Sequence, residues 1–479
     1  MTLPKHKTKI VCTIGPASQD PEILERMIRA GMNIARINFS HGDFASHAST
    51  ISNIRAASRK LETRVAIMAD LPGPKIRIGK LSSEPVMLLS GDTFLLTTDD
   101  IVGDGTQASV TFPRLAQSVA PGDHLFLNDG FIELQAEAVT TTSVQCRVLM
   151  GGELRSHKGL NVPDTELAIS AFTDRDRECL EWALGQGVDV VSQSFVQSAA
   201  DIVAVREAAE KLGYHPFVIA KIERARAVEN MDAIIEAADG IMIARGDLGV
   251  EIPIEQIAVV QKRLMRKANL LGKPVITATQ MLESMTNNRR PTRAESTDVA
   301  NAILDGTDCV MLSGESAMGL FPVESVEMLG RIAVATEPLL TGYTVQKILE
   351  ADSGKGDVAI RDLIALSVAT TVHRVCPAAV FVPTRSGATA RSIARFRLPI
   401  WITGSSRHED TCQRLMFSYG VFPVHLPNHP DDWPSFIQAW LREHGIEGHL
   451  VILTEGPSSK NPEANERMEI IDLRRKRSL

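Results

Sequence analysis

Eight short apolar runs, rich in β-branched residues, recur through most of this 479-residue chain. Segments with helical periodicity follow most of them, an alternation that is typical of parallel βα units. The runs cover residues 9–14, 32–39, 65–70, 188–195, 217–223, 240–244, 274–279 and 309–313. Eight such units predict a TIM (β/α)8 barrel, a closed ring of parallel strands surrounded by helices.

The alternation breaks between the third and fourth runs, which predicts an inserted domain. Residues 73–163 are rich in Thr, Val, Gly and Asp, show short alternating strands and carry no convincing helical pattern. Turn sequences recur at the spacing expected between strands, at 90–92, 121–123 and 128–130. We expect a small β-barrel domain here, placed as a lid over the active end of the larger barrel.

A further domain is predicted after the barrel. Residues 353–357 have the composition of a linker, and the runs 379–382, 400–403, 421–424 and 450–454 then alternate with helical patterns. This pattern favours an open α/β sheet. The predicted organisation is a barrel at 1–72 and 164–342, a lid at 73–163 and a C-terminal α/β regulatory domain at 343–479.

Charge and hydropathy exclude several classes of protein. The net charge is −7 and the basic residues are dispersed, which is unlike a nucleic-acid-binding protein. No apolar run is long enough to cross a bilayer, and residues 1–9 are polar and basic with no apolar signal segment after them. We therefore expect a cytoplasmic protein without nucleic-acid or membrane partners.

Polar residues close most of the eight runs. In TIM barrels the reacting groups lie at the C-terminal ends of the strands, so these positions are the candidate active site. Any one of them alone has an ordinary structural interpretation, but their combination indicates chemistry. They are Arg36, Asn38, Ser40, Asp70, Lys221, Glu223, Arg245, Asp247, Thr279 and Ser313.

Glu223 and Asp247 follow adjacent predicted strands and offer hard oxygen ligands, which suit Mg²⁺ or Mn²⁺. The alternative is a pair of surface acids. Lys221 and Arg36 would place cations at the same mouth, and a transferring phosphoryl group needs such a cluster of positive charge. The main-chain amides at Gly246 and beside it add a possible anion nest.

Several motifs in this region resemble those of pyruvate kinase. They are Cys12-Thr13-Ile14-Gly15-Pro16-Ala17-Ser18, Arg36-Ile37-Asn38-Phe39-Ser40-His41-Gly42, Ile219-Ala220-Lys221-Ile222-Glu223, Ala244-Arg245-Gly246-Asp247-Leu248-Gly249-Val250-Glu251, Thr277-Ala278-Thr279-Gln280-Met281-Leu282-Glu283-Ser284-Met285 and Pro291-Thr292-Arg293-Ala294-Glu295. The resemblance runs through essentially the whole chain. It implies transfer of the phosphoryl group of phosphoenolpyruvate to ADP, giving pyruvate and ATP, and a homotetramer.

The resemblance also implies roles for individual residues. Lys221 and Arg36 would face the transferring group, and Gly246, Asp247 and Thr279 would contact the substrate. Thr279 and Ser313 would take part in protonating the enolate, while Glu223 and Asp247 would hold the divalent metal. The nucleotide would lie against Pro16, Asn38, His41, Arg77 and Lys158.

A loop in the C-terminal domain is a candidate effector site. Its residues, Thr384, Arg385, Ser386, Gly387, Ala388 and Thr389, join a predicted strand to a helix, where amides can cradle a phosphate. An ordinary turn is the alternative. The resemblance implies a phosphorylated allosteric effector, but residues 455–462 depart from the glycine-rich loop of the family, so the effector's identity does not follow.

One further departure concerns a monovalent cation. In the family, K⁺ is bound at positions matching the side chains of Asn38, Ser40 and Asp70 and the carbonyl of Leu71. The glutamate of the neighbouring Asp-Thr-Lys-Gly-Pro-Glu motif is Lys75 here. A lysine ammonium is a compact positive charge, so we expect it to replace K⁺, which would then not be required. A solvated lysine at the lid hinge is the alternative.

Two other functions remain open at this stage. A lyase or aldolase of the phosphoenolpyruvate group would use a similar metal site, although it needs no nucleotide lid and no Lys158. A non-catalytic regulator would keep the fold and only sense a phosphorylated metabolite.

Overall fold

The predicted barrel is present in the computed structural model, which describes residues 3–163, 170–340, 359–456 and 466–475. Strand numbers follow the chain, and β4–β11 belong to the inserted domain. The barrel strands are β1 (Lys9–Thr13), β2 (Ile34–Asn38), β3 (Ala66–Leu71), β12 (Val190–Gln193), β13 (Phe217–Ile222), β14 (Gly240–Ala244), β15 (Val275–Ala278) and β16 (Cys309–Leu312). All are parallel, and they close in the order β1-β16-β15-β14-β13-β12-β3-β2. Most of their residues are buried on both faces, which is why they appear in the sequence as continuous apolar runs.

The strands are mostly shorter than the predicted runs. The run 188–195 contains β12, but its last residues leave the sheet, and Phe195 has a left-handed φ of 56°. The run 274–279 ends in the same way, because Thr279 has a φ of 67°. The polar ends of these runs therefore turn away from the sheet to form the barrel mouth.

Helices surround the barrel, and several begin at the capping residues that the sequence provides. Asp20 caps the first helix, and Thr173 and Thr292 form capping boxes with Asp176 and Glu295. The helices are α1 (Pro21–Ala30), α2 (Phe44–Lys60), α4 (Asp174–Gly185), α5 (Ala199–Lys211), α6 (Ala225–Glu229), α7 (Met231–Ala237), α8 (Arg245–Glu251), α9 (Ile257–Leu270), α10 (Arg293–Leu304), α11 (Gly314–Ala317) and α12 (Pro322–Thr336), with α3 in the inserted domain.

The inserted domain is built almost entirely from strands. They are β4 (Val86–Leu88), β5 (Thr93–Thr97), β6 (Gln107–Ser109), β7 (His124–Leu127), β8 (Ile132–Val139), β9 (Ser143–Met150), β10 (Gly152–Leu154) and β11 (Leu160–Asn161). Six form a sheet in the order β11-β7-β8-β9-β5-β6, β4 pairs with β10, and the domain has its own apolar core. The expectation of a helix-free insertion was wrong at α3 (Leu115–Ser118), because four residues are too few to produce a helical period.

The C-terminal domain is an open α/β sheet. Its strands are β17 (Val380–Pro383), β18 (Ile402–Ser406), β19 (Val421–His425), β20 (Leu450–Glu455) and β21 (Arg467–Asp472), in the order β19-β18-β17-β20-β21. Its helices are α13 (Ile360–Val375), α14 (Ala388–Ala394), α15 (Glu409–Leu415) and α16 (Trp433–Glu443). The four predicted strands are present, and β21 is an additional strand antiparallel to β20.

The C-terminal domain closes the N-terminal end of the barrel. Met416 and Phe417 share a buried cluster with Val11 and Ile34 from the barrel strands, and Phe417 stacks on Phe217 with ring centroids 6.4 Å apart. The opposite, C-terminal end of the barrel therefore remains for chemistry, beneath the inserted domain.

Some predictions fall outside the described residues. The linker at 353–357, residues 457–462 and the boundary at 342/343 are among them. Within the described ranges, no helix is both long enough and apolar enough to cross a bilayer.

Candidate active site

A buried network of charges lies where β2, β3 and β13 end. Arg36 donates from Nε to Asp70 Oδ2 at 2.7 Å, makes a second contact from Nη2, and donates from Nη1 to Thr13 Oγ1 at 2.8 Å. Lys221 Nζ lies 3.4 Å from the same Asp70 oxygen, and Ser192 donates to the other at 2.7 Å. Burial opposes ionisation of Asp70, but Lys221 and Arg36 outweigh it and lower its pKa. Asp70 is thus the anion that holds both cations in place.

Lys221 also contacts the first candidate metal ligand. Its Nζ lies 2.9 Å from Glu223 Oε1 and donates to Ser194 Oγ at 2.7 Å. Burial alone disfavours the ammonium, yet Asp70 and Glu223 together raise the pKa of Lys221. The Lys221 side chain is therefore an ammonium held in place by Asp70, Glu223 and Ser194 at the mouth of the barrel.

Glu223 is held in a defined orientation by the neighbouring loop. The backbone N–H of Phe195 donates to Glu223 Oε2 at 2.7 Å, which leaves Oε1 facing Lys221. Burial raises the pKa of Glu223, Lys221 opposes that shift, and the Asp247 carboxylate raises the pKa further. Asp247 lies at the start of α8, just after β14, the strand paired with β13, so the two carboxylates leave adjacent strands at the same end of the barrel.

This pair suits a divalent cation that shares its ligands with a substrate. Carboxylate oxygens are the donors that Mg²⁺ prefers, and a site with one or two protein carboxylates leaves positions for phosphate oxygens and water. Among the described residues, no group of three or more His, Cys, Asp or Glu side chains forms a self-sufficient metal site. Two carboxylates are the donor set expected where phosphate oxygens and water supply the other ligands of the metal.

Asp247 lies in the first turn of α8, close to a strained threonine. Gly246 donates its N–H to Thr279 Oγ1 at 2.8 Å, and Thr279 Oγ1 donates to Ala278 O at 2.6 Å. A left-handed φ is costly for a β-branched residue and is found mainly at functional sites. Arg245 secures this loop from outside, donating to Thr279 O at 3.0 Å and to Asp298 Oδ1 at 2.7 Å.

Ser313 lies at the mouth beside the loop that follows β15. Its backbone N–H donates to Glu315 Oε2 at 2.8 Å, and the other oxygen of Glu315 accepts from Leu282 N at 3.0 Å. The buried Glu315 therefore joins the loops after β15 and β16, which carry Thr279 and Ser313.

Further cations line the entrance from the lid. Arg77 donates to the carbonyl of His157 at 2.9 Å, next to Lys158. Burial lowers the pKa of His41, and the positive charges of Arg77, Arg36 and Lys75 lower it further. His41, a predicted nucleotide-binding residue, lies in the turn after β2, where its backbone N–H donates to Asn38 O at 3.3 Å. Pro16 is exposed in the loop after β1, and Asn38 caps the turn after β2 by accepting from Ser40 N at 3.1 Å.

Lys75 makes a contact that differs from the predicted one. Its Nζ lies 3.3 Å from Asp247 Oδ1, beside the metal-binding pair. Asp70, which the sequence places among the monovalent-site positions, already has Arg36, Lys221 and Ser192 as partners. An additional ammonium is better compensated beside Asp247 than beside a carboxylate that two cations already neutralise. Replacement of K⁺ by Lys75 stays a prediction.

The predicted effector loop joins β17 to α14 in the C-terminal domain. Thr384 Oγ1 accepts from Gly387 N at 3.0 Å, and the carbonyl of Arg385 accepts from Thr411 at 2.8 Å. Arg385 and Ser386 are exposed, and Gly387 has a φ of 80°. The loop is therefore a defined turn with exposed polar groups.

Sequence reasoning missed three residues that shape the site. Thr13 accepts a hydrogen bond from Arg36, and Ser194 accepts one from Lys221. Ser192 donates a hydrogen bond to Asp70. All three lie in the first and fourth apolar runs, at 9–14 and 188–195. The same criterion, a polar residue at the end of an apolar run, would have found Thr13 and Ser194.

Comparison with known proteins agrees with this geometry. Residues 5–326 match the family model "Pyruvate kinase, barrel domain", and residues 362–471 match "Pyruvate kinase, alpha/beta domain". The pyruvate kinase of Thermococcus litoralis is 49% identical over 459 residues, covering 95% of this chain and 96% of that protein. The pyruvate kinase of Geobacillus stearothermophilus is 42% identical over 462 residues, covering 94% of this chain and 78% of that protein.

A solved structure extends the likeness to three dimensions. The crystal structure of a pyruvate kinase from Cryptosporidium parvum superposes with a TM-score of 0.91 at 36% identity, covering 98% of this chain and 96% of that one. The predicted fold and enzyme class are confirmed by these matches and by the closed barrel, the lid and the C-terminal sheet. This chain belongs to the pyruvate kinase family.

Proposed function

We propose that this protein transfers the phosphoryl group of phosphoenolpyruvate to ADP, using Lys221 and Arg36 as fixed cations. The observation that carries the proposal is the buried Asp70, which accepts from Arg36 and lies 3.4 Å from Lys221. Phosphoryl transfer gains mainly from positioned positive charge, because negative charge spreads over the equatorial oxygens in the transition state. Two cations braced by one buried anion supply that charge with little reorganisation.

Glu223 and Asp247 are the residues that would hold Mg²⁺ or Mn²⁺. The bound ion would supply a Lewis-acid charge toward the oxygens of phosphoenolpyruvate. The backbone N–H of Phe195 orients Glu223, and Lys221 lies beside it, so both would face the same substrate. Gly246 and Asp247 at the start of α8 complete the substrate-binding wall.

Protonation of the enolate would follow on the side of Thr279 and Ser313. The Thr279 hydroxyl donates its single proton to the carbonyl of Ala278 and accepts from Gly246 N, so its remaining lone pair can accept a hydrogen bond from a water and hold that water for the enolate. A threonine hydroxyl is a weak acid, and water is therefore the proton carrier in this scheme. Ser313, held through Glu315, continues the relay.

The nucleotide would enter between barrel and lid. Arg77 and Lys158 come from the lid side, and Pro16, Asn38 and His41 come from the barrel loops. Closure of the lid over the mouth would exclude water and prevent hydrolysis of the phosphoryl group.

Regulation and assembly form the remaining part of the proposal. A phosphorylated metabolite would bind the loop Thr384–Thr389 and activate the enzyme, which would act as a homotetramer in the cytoplasm. The exposed polar groups of that loop support the effector site. The lysine at position 75 supports independence from K⁺.

The function is tested by ATP formation from ADP and phosphoenolpyruvate with Mg²⁺. Wild type should form ATP, and Lys221→Met should lose about 10²–10³-fold in turnover, because one preorganised charge is worth that much. Lys211→Met, an exposed lysine in the last turn of α5, is the matched control and should retain wild-type turnover.

Each competing function gives a different result in this assay. A lyase or aldolase would consume phosphoenolpyruvate without ADP, and a non-catalytic regulator would bind it without turnover. Turnover of Lys221→Met within a few-fold of wild type would refute the role given to Lys221.

A further inference from the structure

Gly73 and Asn161 lie near the positions where the chain enters and leaves the lid, and we call them the entry hinge and the exit hinge. The entry hinge packs against Phe195. Gly73, just after β3, has a left-handed φ of 64° and donates its N–H to Asp176 Oδ1 at 2.8 Å. A Cβ added to Gly73 would lie only 2.8 Å from Cδ2 of Phe195, so the bare backbone rests directly on that ring. The entry hinge is therefore fixed by the capping carboxylate of α4 and by one aromatic side chain.

The second hinge is tied to the helix that carries Asp247. Asn161, at the end of β11, is 9% exposed and donates from Nδ2 to Glu251 Oε1 at 3.2 Å. Glu251 is the last residue of α8 and is 7% exposed. The exit hinge thus ends on the helix that forms one wall of the active site.

Arg224 contacts the partners of both hinges. Its guanidinium lies 5.2 Å from the centroid of the Phe195 ring, and its Nη1 lies 3.5 Å from Glu251 Oε1, the oxygen that also accepts from Asn161. Arg224 is itself 9% exposed. A planar guanidinium can stack on a ring through its face and pair with a carboxylate through its edge at the same time, which a lysine cannot do.

The same residues support the metal ligand Glu223. Arg224 follows Glu223 directly in the chain, and Phe195, under the Arg224 guanidinium, donates its N–H to Glu223 Oε2 at 2.7 Å. A displacement of either hinge therefore reaches Glu223 through at most two contacts.

We propose that Arg224 is a positioning residue that couples the entry and exit hinges of the lid to each other and to Glu223. This inference rests on the proposed function, since it concerns the lid that closes over that reaction. The lid then swings as one body, because both hinges share a single support, and its closure is linked to the orientation of a metal-binding carboxylate.

The test uses two variants of Arg224 and one of its partner. Arg224→Met keeps an apolar contact with Phe195 but removes the pairing with Glu251, while Arg224→Lys keeps the charge and loses the stacking. Glu251→Gln removes the pairing from the other side. Arg263→Met, on the exposed face of α9, is the matched control.

Two kinds of measurement are made on the full-length protein: kcat and KM for both substrates, and hydrogen exchange of the backbone amides in the two hinges. We expect Arg224→Met to lower kcat about tenfold, to raise KM for ADP more than KM for phosphoenolpyruvate, and to speed exchange at both hinges. Arg224→Lys should lie between Arg224→Met and wild type. Adding Glu251→Gln to Arg224→Met should cost less than the product of the two single effects.

Several results would overturn the inference. They are unchanged exchange at both hinges in Arg224→Met, faster exchange at one hinge only, or independent effects of Arg224→Met and Glu251→Gln. If Arg224→Met does not fold, Arg224→Lys carries the same exchange test. A wild-type protein that formed no ATP would refute the proposed function, and the hinge measurements would still decide whether Arg224 couples the two hinges.

Discussion

Lys221 shows how a buried cation is kept charged at this site. Removing an ammonium from water favours its neutral form, but Asp70 and Glu223 outweigh that effect and raise the pKa of Lys221. The position of the charge is fixed as well, since Nζ lies 2.9 Å from Glu223 Oε1 and 2.7 Å from Ser194 Oγ. Preorganisation of this kind is what makes a single charge effective in catalysis.

At the scale of single residues, the sequence predicted which side chains belong to the candidate site. It did not predict which of those side chains contact one another. Arg36, Asp70, Lys221 and Glu223 could be found because each closes an apolar run. The sequence did not predict that two cations would share Asp70. This sharing depends on side chains from three different strands that meet only in the folded barrel. Arg224, next to a predicted ligand, gave no sign in the sequence of its contact with Glu251.

The contact between Lys75 and Asp247 bears on the monovalent-cation prediction. We expect the wild-type rate to be independent of K⁺, because the Lys75 ammonium already supplies a positive charge at the mouth, 3.3 Å from Asp247 Oδ1. Lys75→Glu should lower the rate in K⁺-free buffer and regain part of it when K⁺ is added. The measurement is initial rate against KCl, with ionic strength held by a tetramethylammonium salt.

Lys80→Glu is the control for the change of charge, since Lys80 is an exposed lysine of the lid. Its rate should not respond to K⁺. A wild-type rate that rises tenfold or more with K⁺ would show that Lys75 does not replace the ion.

At the scale of elements, the strands that could be predicted from the sequence were the buried ones. The barrel strands are buried on both faces and stand out as apolar runs, so their number and order could be predicted. β21 (Arg467–Asp472) was missed because it is an edge strand with only one buried residue, Ile471, and charged residues between apolar ones. A strand was recognised in the sequence when most of its residues are buried, and strand propensity alone was not enough.

The effector loop supports a prediction at the same scale. Ser386→Ala combined with Thr389→Ala should abolish activation by phosphorylated sugars or nucleotides and leave unactivated turnover unchanged, because the loop lies in the C-terminal domain and away from Lys221. Rates are measured with and without each effector, and Ser367→Ala on the exposed face of α13 is the control. Activation that survives in the double variant would mean that the loop is an ordinary turn.

At the scale of the whole molecule, one buried ion pair joins the C-terminal domain to the barrel. Arg397, three residues after α14, donates to both oxygens of Asp308 at 2.7 and 3.0 Å. Asp308 lies just before β16 and also accepts from Tyr419 N and Val275 N. Both side chains are almost fully buried, at 5% and 6% exposure. The predicted effector loop leads into α14 and this pair follows the end of that helix, so a shift of α14 would reach Asp308 at the base of the strand that leads to Ser313.

Arg397→Met should therefore destabilise the protein and weaken the link between its domains. Removing one partner of a buried pair costs about 3–5 kcal/mol, because the other charge stays buried without compensation. Calorimetry should show a lower melting temperature and separate transitions for the barrel and the C-terminal domain. Lys60→Met breaks an exposed pair with Glu25 and should cost less than about 1 kcal/mol. Equal losses in the two variants would mean that the Asp308–Arg397 pair does not hold the domains together.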